Sequence, residues 1–313
     1  MIPRALCVAA ALLALAPARA AVNEEGPLYA TPTTADGIGR VVAPVFVNGQ
    51  GPYRFIVDTG ANRSTLSPGL ARALGIDMRG APRVLVHGVT GAEQAPFARI
   101  GEMRVGAVAR QGVDMPVIAN RIYASADGIM GADHISGGRL VIDFRRDRID
   151  LSPAGPGAPV GATVMPAQMR FGRLPVVAVR IGRVHAKAVI DTGAERSLGN
   201  PALRAALMQD NPRLASEGFT PVYGAVGPEA RAELLWAPRL NLAGVQIRRL
   251  PILFADTHFF RFWQMESEPA LLIGMDVLGQ FDMLTVDYRR REVSFRIAGA
   301  RPVEARNERA SRL

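Results

Sequence analysis

Cysteine is nearly absent from the 313-residue sequence. The one cysteine, Cys7, lies in an N-terminal segment that we expect to be removed, and it stands too early there to be a lipid-attachment site. Disulfide bonds, zinc-thiolate centres and thiol nucleophiles are therefore excluded for the mature chain, which must rely on its hydrophobic core for stability.

Lysine and aromatic residues are also scarce. Lys187 is the only lysine, so nearly all of the 37 basic residues are arginines, and they are scattered along the chain. Aromatic residues make up 6% of the sequence. A nucleic-acid-binding surface needs clustered basic residues with aromatic residues between them. We therefore expect no nucleic-acid partner, despite a formal charge of +9.

Long hydrophobic runs are missing as well. The apolar run at residues 5–17 follows Arg4 and ends at Ala18-Arg19-Ala20, and it is shorter than the roughly 20 residues of a membrane span. This pattern predicts a signal peptide at 1–20 and a periplasmic or secreted protein with no stable membrane span after cleavage. An uncleaved N-terminal anchor is the alternative.

The rest of the composition is typical of a folded globular protein, with 49% hydrophobic and 21% charged residues. The length predicts about two domains. A Pro/Gly-rich stretch at 153–159 is predicted to be a linker. We expect one lobe at 21–155, a second at 156–300 and a charged tail at 301–313.

A repeat relates the two halves. FIVDTGA at 55–61 corresponds to AVIDTGA at 188–194, DGIMG at 127–131 to LLIG at 271–274, and LVIDFRR at 140–146 to LTVDYRR at 284–290. Three matches in the same order indicate an internal duplication. The spacing between the copies grows from 133 to 144 residues, which predicts an insertion of about ten residues in the second half.

The local patterns are mostly those of strands. Short β-branched or alternating segments predict strands at 40–47, 53–57, 99–105, 174–181, 240–242 and 283–287. Segments that begin with proline and are rich in Ala, Leu and Arg predict helices at 68–74 and 201–208. Residues 143–151 and 287–295 are predicted to be hairpins.

The duplicated motif places one aspartate in each half on a tight loop after an apolar strand. Gly60 and Gly193 would allow the backbones to approach closely there. Two such loops suggest that Asp58 and Asp191 meet across a pseudo-two-fold axis. Two carboxylates about 3 Å apart share one proton, so one can act as a base while the other acts as an acid.

With these motifs the sequence resembles the aspartic proteases, and within them the retropepsin-like group, in which alanine follows Asp-Thr-Gly. The resemblance implies a mostly β, bilobal pepsin- or retropepsin-like fold with pseudo-two-fold symmetry, here with both lobes fused in one chain. It implies an aspartic endopeptidase in which Asp58 and Asp191 activate one water for attack on a peptide bond, with no metal or organic cofactor. Thr59 and Thr192 match the family threonines that tie the two loops together.

The resemblance also implies flaps over a cleft that binds an extended peptide. The candidates are the turns that contain His87 and Gly88 in the first half and Tyr223 and Gly224 in the second. Ordinary surface turns would look the same, and the number of flaps stays open. We expect a monomer that cleaves an envelope or periplasmic protein.

Ala61 and Ala194 stand where pepsin-like enzymes have Ser or Thr. Because each carboxylate then lacks one hydroxyl donor, we expect higher pKa values for the pair and activity at mildly acidic or neutral pH. Asp133 and Asp276 are predicted to cap the helices after each glycine and are left out of the catalytic set.

The sequence also allows functions other than that of a protease with two catalytic lobes. The four histidines are far apart in sequence and lack metal-ligand spacing, so they are interpreted as structural or surface residues. A non-catalytic peptide- or protein-binding module with the same bilobal fold is the main alternative. An enzyme with one catalytic lobe and one structural lobe is another.

Overall fold

The computed structural model describes residues 30–36, 39–119, 121–153 and 157–297. The predicted signal peptide at 1–20 and the charged tail at 301–313 lie outside these ranges, as does part of the predicted linker. The predicted domain boundaries therefore stay predictions.

In the described ranges the first half contains fourteen elements, which are eleven strands, two short α-helices and one 3-10 helix. In chain order they are β1 (Ala30–Pro32), β2 (Thr34–Ala35), β3 (Val41–Val47), β4 (Gln50–Val57), β5 (Thr65–Leu66), α1 (Pro68–Ala73), β6 (Arg83–His87), β7 (Ala92–Val105), β8 (Val108–Pro116), a 3-10 helix (Arg121–Tyr123), β9 (Gly128–Met130), α2 (Ala132–Ile135), β10 (Arg139–Asp143) and β11 (Arg148–Ser152).

The second half repeats this order, with an α-helix in place of the 3-10 helix and with two strands in place of each of β7 and β8. Its elements are β12 (Thr163–Pro166), β13 (Gln168–Arg170), β14 (Leu174–Ile181), β15 (Val184–Ile190), β16 (Leu198–Gly199), α3 (Pro201–Asp210), β17 (Ser216–Val222), β18 (Ala230–Ala237), β19 (Leu240–Leu242), β20 (Val245–Ile247), β21 (Leu250–Phe254), α4 (His258–Phe262), β22 (Ala270–Ile273), α5 (Met275–Leu278), β23 (Met283–Asp287) and β24 (Glu292–Arg296).

The sequence patterns predicted these elements closely. Strands β14, β19 and β23 have the predicted bounds, and the strand predicted at 99–105 is the second half of the long β7. Helices α1 and α3 begin at the predicted prolines, where Ser67 and Asn200 cap them by accepting a backbone N–H. The predicted insertion is divided between two places. The offset between the halves is 133 at the starts of β6 and β17 (83 and 216), 138 at the starts of β7 and β18 (92 and 230), and 143 at the equivalent residues Gly128 and Leu271. About half of it therefore lies between β17 and β18 and the rest in the segment that contains α4.

Each half forms its own curved sheet. The first is eight-stranded, with the order β5-β9-β4-β3-β7-β6 and with β2 and β8 paired at the sides. The second is ten-stranded, with the order β17-β18-β21-β16-β22-β15-β14-β19-β20 and with β13 paired to β14. In both, the strand that leads to Asp-Thr-Gly pairs in parallel with the strand of the second motif, β4 with β9 and β15 with β22. The fold is therefore mostly β and bilobal.

A third sheet joins the lobes. Its order is β1-β11-β10-β23-β24-β12, and the two predicted hairpins, β10-β11 and β23-β24, form its centre. Strand β10 pairs antiparallel with β23, its own repeat, with Val141 opposite Thr285. A strand that pairs antiparallel with its copy lies on a two-fold axis, so the pseudo-two-fold axis of the molecule passes through this pair.

The hydrophobic core continues across the lobes. Its largest cluster joins Val57 and Met130 of the first lobe to Ile190 and Ile273 of the second and to the central sheet. None of the helices in the described ranges is both long and apolar enough to span a membrane.

Candidate active site

Backbone hydrogen bonds place both aspartates at the ends of buried strands. Asp58 follows β4 and donates its N–H to the carbonyl of Met130, over 3.0 Å. Asp191 follows β15 and donates in the same way to Ile273, also over 3.0 Å. The strand of the second motif in each half therefore holds the aspartate loop of that half in place through a backbone hydrogen bond.

The two threonines join the loops across the pseudo-two-fold axis. The hydroxyl of Thr59 donates to the carbonyl of Ile190, and that of Thr192 donates to the carbonyl of Val57, each over 2.7 Å. Each hydroxyl also accepts the backbone N–H of the other threonine, at 3.1 and 3.2 Å. Because both threonines are fully buried, these four bonds are shielded from water and hold the loops in one relative position.

The two glycines leave room for the opposite carboxylate. A methyl group at Gly60 would lie 2.3 Å from Cγ of Asp191, and one at Gly193 would lie 2.2 Å from Cγ of Asp58. Each carboxylate also accepts the N–H of its own glycine, at 2.8 Å for Gly60 and 2.9 Å for Gly193. The two carboxyl groups thus reach across the axis, each against the backbone of the other loop.

Burial and proximity change the acidity of the pair. Burial raises the pKa of Asp58. The pKa of Asp191 is raised well above its usual range by burial and then by the negative charge of Asp58. Hydrogen bonds from Gly60 and Gly193 partly oppose these effects. Two coupled buried carboxyl groups favour the state in which the pair retains one proton.

A duplicated serine-aspartate pair supports each loop. Ser64 donates its hydroxyl to Asp133 over 2.7 Å and accepts the N–H of Gly131. Ser197 makes the same bonds to Asp276 and Gly274. The prediction that Asp133 and Asp276 cap the following helices is wrong, because the N-cap residues are the two glycines and the carboxylates turn back to the aspartate loops.

Two hairpins meet between the lobes, one from each lobe. The first hairpin is β6-β7 with its tip at 88–91, and the second is β17-β18 with its tip at 223–229. These tips contain the sequence-predicted residues Gly88, Tyr223 and Gly224, and His87 ends β6. The hydroxyl of Thr90 donates to the carbonyl of Val226 over 3.2 Å, so the tips touch each other.

The hairpin tips are exchanged between the lobes. Val226 of the second hairpin is buried in a cluster of the first lobe that includes Ile118 and Ile129. Val89 of the first hairpin packs on the second lobe, and its carbonyl accepts the N–H of Phe259 in α4. The insertion in the second half therefore provides a contact for the tip from the first half.

Two of the four histidines meet at this contact, which the sequence analysis did not predict. Nδ1 of His87 lies 2.8 Å from Nε2 of His258, and the ring of Phe262 stacks on His87 with 3.8 Å between ring centroids. In the part of the chain that the structure describes, no three His, Cys, Asp or Glu side chains form a group that could hold a metal ion.

Sequence reasoning missed three polar residues near the aspartates. Ser64 and Ser197 each stand six residues after their aspartate, so the repeat itself carried a signal for them. Arg40 is buried in the first lobe, whereas Arg173, its counterpart in the sequence repeat, is exposed. The repeat therefore did not indicate which of the two arginines is buried.

Two fused β lobes whose Asp-Thr-Gly loops interlock on a pseudo-two-fold axis define the aspartic protease class. The sequence profile of a family described as "Aspartyl protease" matches residues 43–134 and 177–277, which is more than half of the chain. Each matched segment contains one Asp-Thr-Gly loop, and the chain therefore belongs to the aspartyl protease family. A comparison with curated proteins found no match.

Proposed function

We propose that this protein is an aspartic endopeptidase in which Asp58 and Asp191 activate one water molecule. The observation that carries the proposal is the exchange of close contacts at the axis: each carboxyl group lies against the glycine of the opposite loop, and the threonines lock the loops together. This arrangement needs both lobes, which supports two catalytic aspartates instead of one.

In the proposed reaction, one carboxylate accepts a proton from the water as the water oxygen bonds to the peptide carbonyl carbon. The other carboxyl group gives its proton to the carbonyl oxygen. The C–N bond of the tetrahedral intermediate then breaks. The leaving nitrogen takes the proton from the first aspartate, and a hydroxyl of the intermediate returns a proton to the second.

The substrate in this proposal is an extended peptide segment of an envelope or periplasmic protein. The two hairpins act as flaps and must part before a chain can enter, because their tips are in contact. A periplasmic or secreted location is part of the proposal and rests on the signal-like sequence at 1–20.

The pH dependence follows from the shared proton. Activity is lost at low pH when both carboxyl groups are protonated, and at high pH when both are ionised, which gives a bell-shaped profile. Because burial raises both pKa values, we expect the maximum at mildly acidic to neutral pH. A maximum near pH 2 would contradict this reading.

The test is cleavage of a diverse peptide library by the chain from Ala21, from pH 3 to 8. The parent is compared with Asp58→Asn and Asp191→Asn. Asp210→Asn is the matched control, because Asp210 ends α3 and pairs with the exposed Arg183. We expect cleavage by the parent and the control and loss of at least about 10³-fold in both site variants.

Two results would overturn the proposal. Loss in only one of the two site variants would indicate a single catalytic lobe. No cleavage at any pH by a folded parent would favour the non-catalytic binding module.

A further inference from the structure

Arg40 is a buried charge next to the first aspartate loop. Its side chain is 2% exposed, and its Nε donates to Oδ2 of Asp36 over 2.7 Å. A guanidinium nitrogen also donates to the carbonyl of Ile122 over 2.6 Å. A buried charge is costly unless it is paired and hydrogen-bonded, and these partners compensate the guanidinium group. Arg40 therefore places a positive charge inside the first lobe.

Arg40 and Asp58 lie at the same end of the β3-β4 pair. Val42 lies opposite Ile56 there, Arg40 stands two residues before Val42, and Asp58 stands two residues after Ile56, so a continued register would bring the two opposite each other. The guanidinium charge of Arg40 lowers the pKa of Asp58 against the larger effect of burial.

The second lobe has an apolar residue at the corresponding place. In the β14-β15 pair Val176 lies opposite Val189, and the same extension would bring Leu174 opposite Asp191. Leu174 is fully buried in an apolar cluster. Arg173, which the sequence repeat aligns with Arg40, is exposed and donates to the hydroxyl of Ser136 over 2.8 Å. The two loops are thus alike, but only the first has a buried cation across the strand.

Three ionisable groups act on Asp58 from the elements around it. They are Asp191 on the opposite loop, Arg40 just before β3, and the buried phenol of Tyr288 after β23, whose own pKa is raised by burial and by the charge of Asp58. Burial raises the pKa of Asp58, and hydrogen bonds from Gly60, Asp191 and Ala61 lower it together with the charge of Arg40. Among the three ionisable groups Arg40 alone is positive, and the loop of Asp191 has no matching buried cation.

We propose that Arg40 is a positioning residue that assigns the two catalytic roles, keeping Asp58 ionised as the base and leaving the shared proton on Asp191 as the acid. This inference rests on the proposed function. Asp58 then takes the proton of the attacking water, and Asp191 gives its proton to the carbonyl oxygen as the new C–O bond forms. When the C–N bond breaks, Asp58 passes its proton to the leaving nitrogen.

The direct test is a pH titration of the ¹³C-labelled aspartate carboxyl carbons by NMR, with the Asp58 and Asp191 signals assigned through their Asn variants. In the parent, Asp58 should carry most of the shift in the lower titration step. In Arg40→Met that step should move up by about one pH unit, the low end of the effect of a nearby charge because Asp36 shares it. In this variant the chemical-shift change of the lower step should also be shared more evenly between the carboxyl carbons of Asp58 and Asp191.

Two controls separate charge from structure. Arg40→Lys loses the guanidinium geometry but keeps the charge, so it should titrate like the parent. Leu174→Met changes the equivalent position of the second lobe without a charge and should do the same. If Arg40→Met does not fold, the Asp36→Asn/Arg40→Met double variant removes both buried charges. It should shift the step in the same direction by a smaller amount, because no unpaired Asp36 carboxylate is left to add to the shift.

The proposal is overturned if Asp191 carries the lower step in the parent, if Arg40→Met titrates like the parent, or if Arg40→Lys shifts as far as Arg40→Met. In Arg40→Met the acid limb of the kcat/KM profile should move up in pH together with the lower NMR titration step. At a pH one unit below that limb, kcat/KM should then be about tenfold lower than in the parent. An inactive parent protein would refute the proposed protease function. The NMR titration would still show whether Arg40 decides which of the two aspartates holds the shared proton.

Discussion

Gly60→Ala tests the close packing of the two aspartate loops. The added methyl group would lie 2.3 Å from Cγ of Asp191 and 2.5 Å from each of its carboxylate oxygens. Ordinary van der Waals contact begins near 3.4 Å, so the carboxyl group or the loop must move by about 1 Å. The clash is with the carboxyl group of the opposite lobe for which we propose a catalytic role.

A displacement of this size has two measurable effects. A shift of about 1 Å in a catalytic group costs about 10²-fold in rate. Overpacking a buried contact costs about 1 to 3 kcal/mol of unfolding free energy. Because the threonine lock stays intact in this variant, we expect a folded protein with kcat lowered at least about 10²-fold.

The assay compares kcat on a library-selected peptide and urea unfolding for the parent, Gly60→Ala and Gly69→Ala. Gly69 lies in α1, where an added methyl group would come no closer than 3.7 Å to the hydroxyl of Ser67. This control should keep full activity and gain up to about 1 kcal/mol, because alanine favours a helix. Activity of Gly60→Ala within threefold of the parent would refute the packing argument.

Two further predictions concern stability. His134 is buried with neither ring nitrogen hydrogen-bonded, and burial lowers its pKa from 6.5 to about 4. The unfolded chain then binds the proton first, so about 3 kcal/mol of unfolding free energy should be lost as pH falls from about 6.5 to 4. Urea unfolding should show this loss reduced in His134→Leu, and an equal loss in both proteins would exclude His134 as its source. Thr59→Val leaves the carbonyl of Ile190 and the N–H of Thr192 without a partner and should cost about 2 to 5 kcal/mol. Thr285→Val is the control, because the Thr285 hydroxyl is also buried but has no partner, and it should cost less than about 0.5 kcal/mol of unfolding free energy. Equal costs in the two variants would argue that the hydrogen bonds of Thr59 and Thr192 do not stabilise the loops.

The fold was largely predictable because the chain is duplicated. A pattern that occurs twice in the same order locates the strands, the paired loops and the insertion, and the prolines before α1 and α3 mark the helix starts. The predicted mostly β, bilobal fold is confirmed by the sheets and by the family match. The exact pairings, such as β10 with β23, depend on register between distant segments, which local patterns do not contain.

The surroundings of the site were less predictable. The helix-cap interpretation of Asp133 failed because its carboxylate has a better donor in Ser64, which lies 69 residues away in sequence. His87 and His258 meet although 171 residues separate them. Such contacts are decided by the packing of whole lobes, so residue spacing gives no signal for them.

The sequence by itself determined the duplication, the two Asp-Thr-Gly loops, the lobes they belong to and the element order. These features depend on repetition and local periodicity, which can be recognised from the order of the residues alone. Only the tertiary structure decided that each carboxyl group lies against the opposite glycine, that the hairpin tips are exchanged, and that Arg40 is buried while Arg173, its counterpart in the repeat, is exposed. The physical reason is that burial and electrostatics depend on distances in space between segments far apart in sequence, and the two copies are free to differ there without losing their common fold.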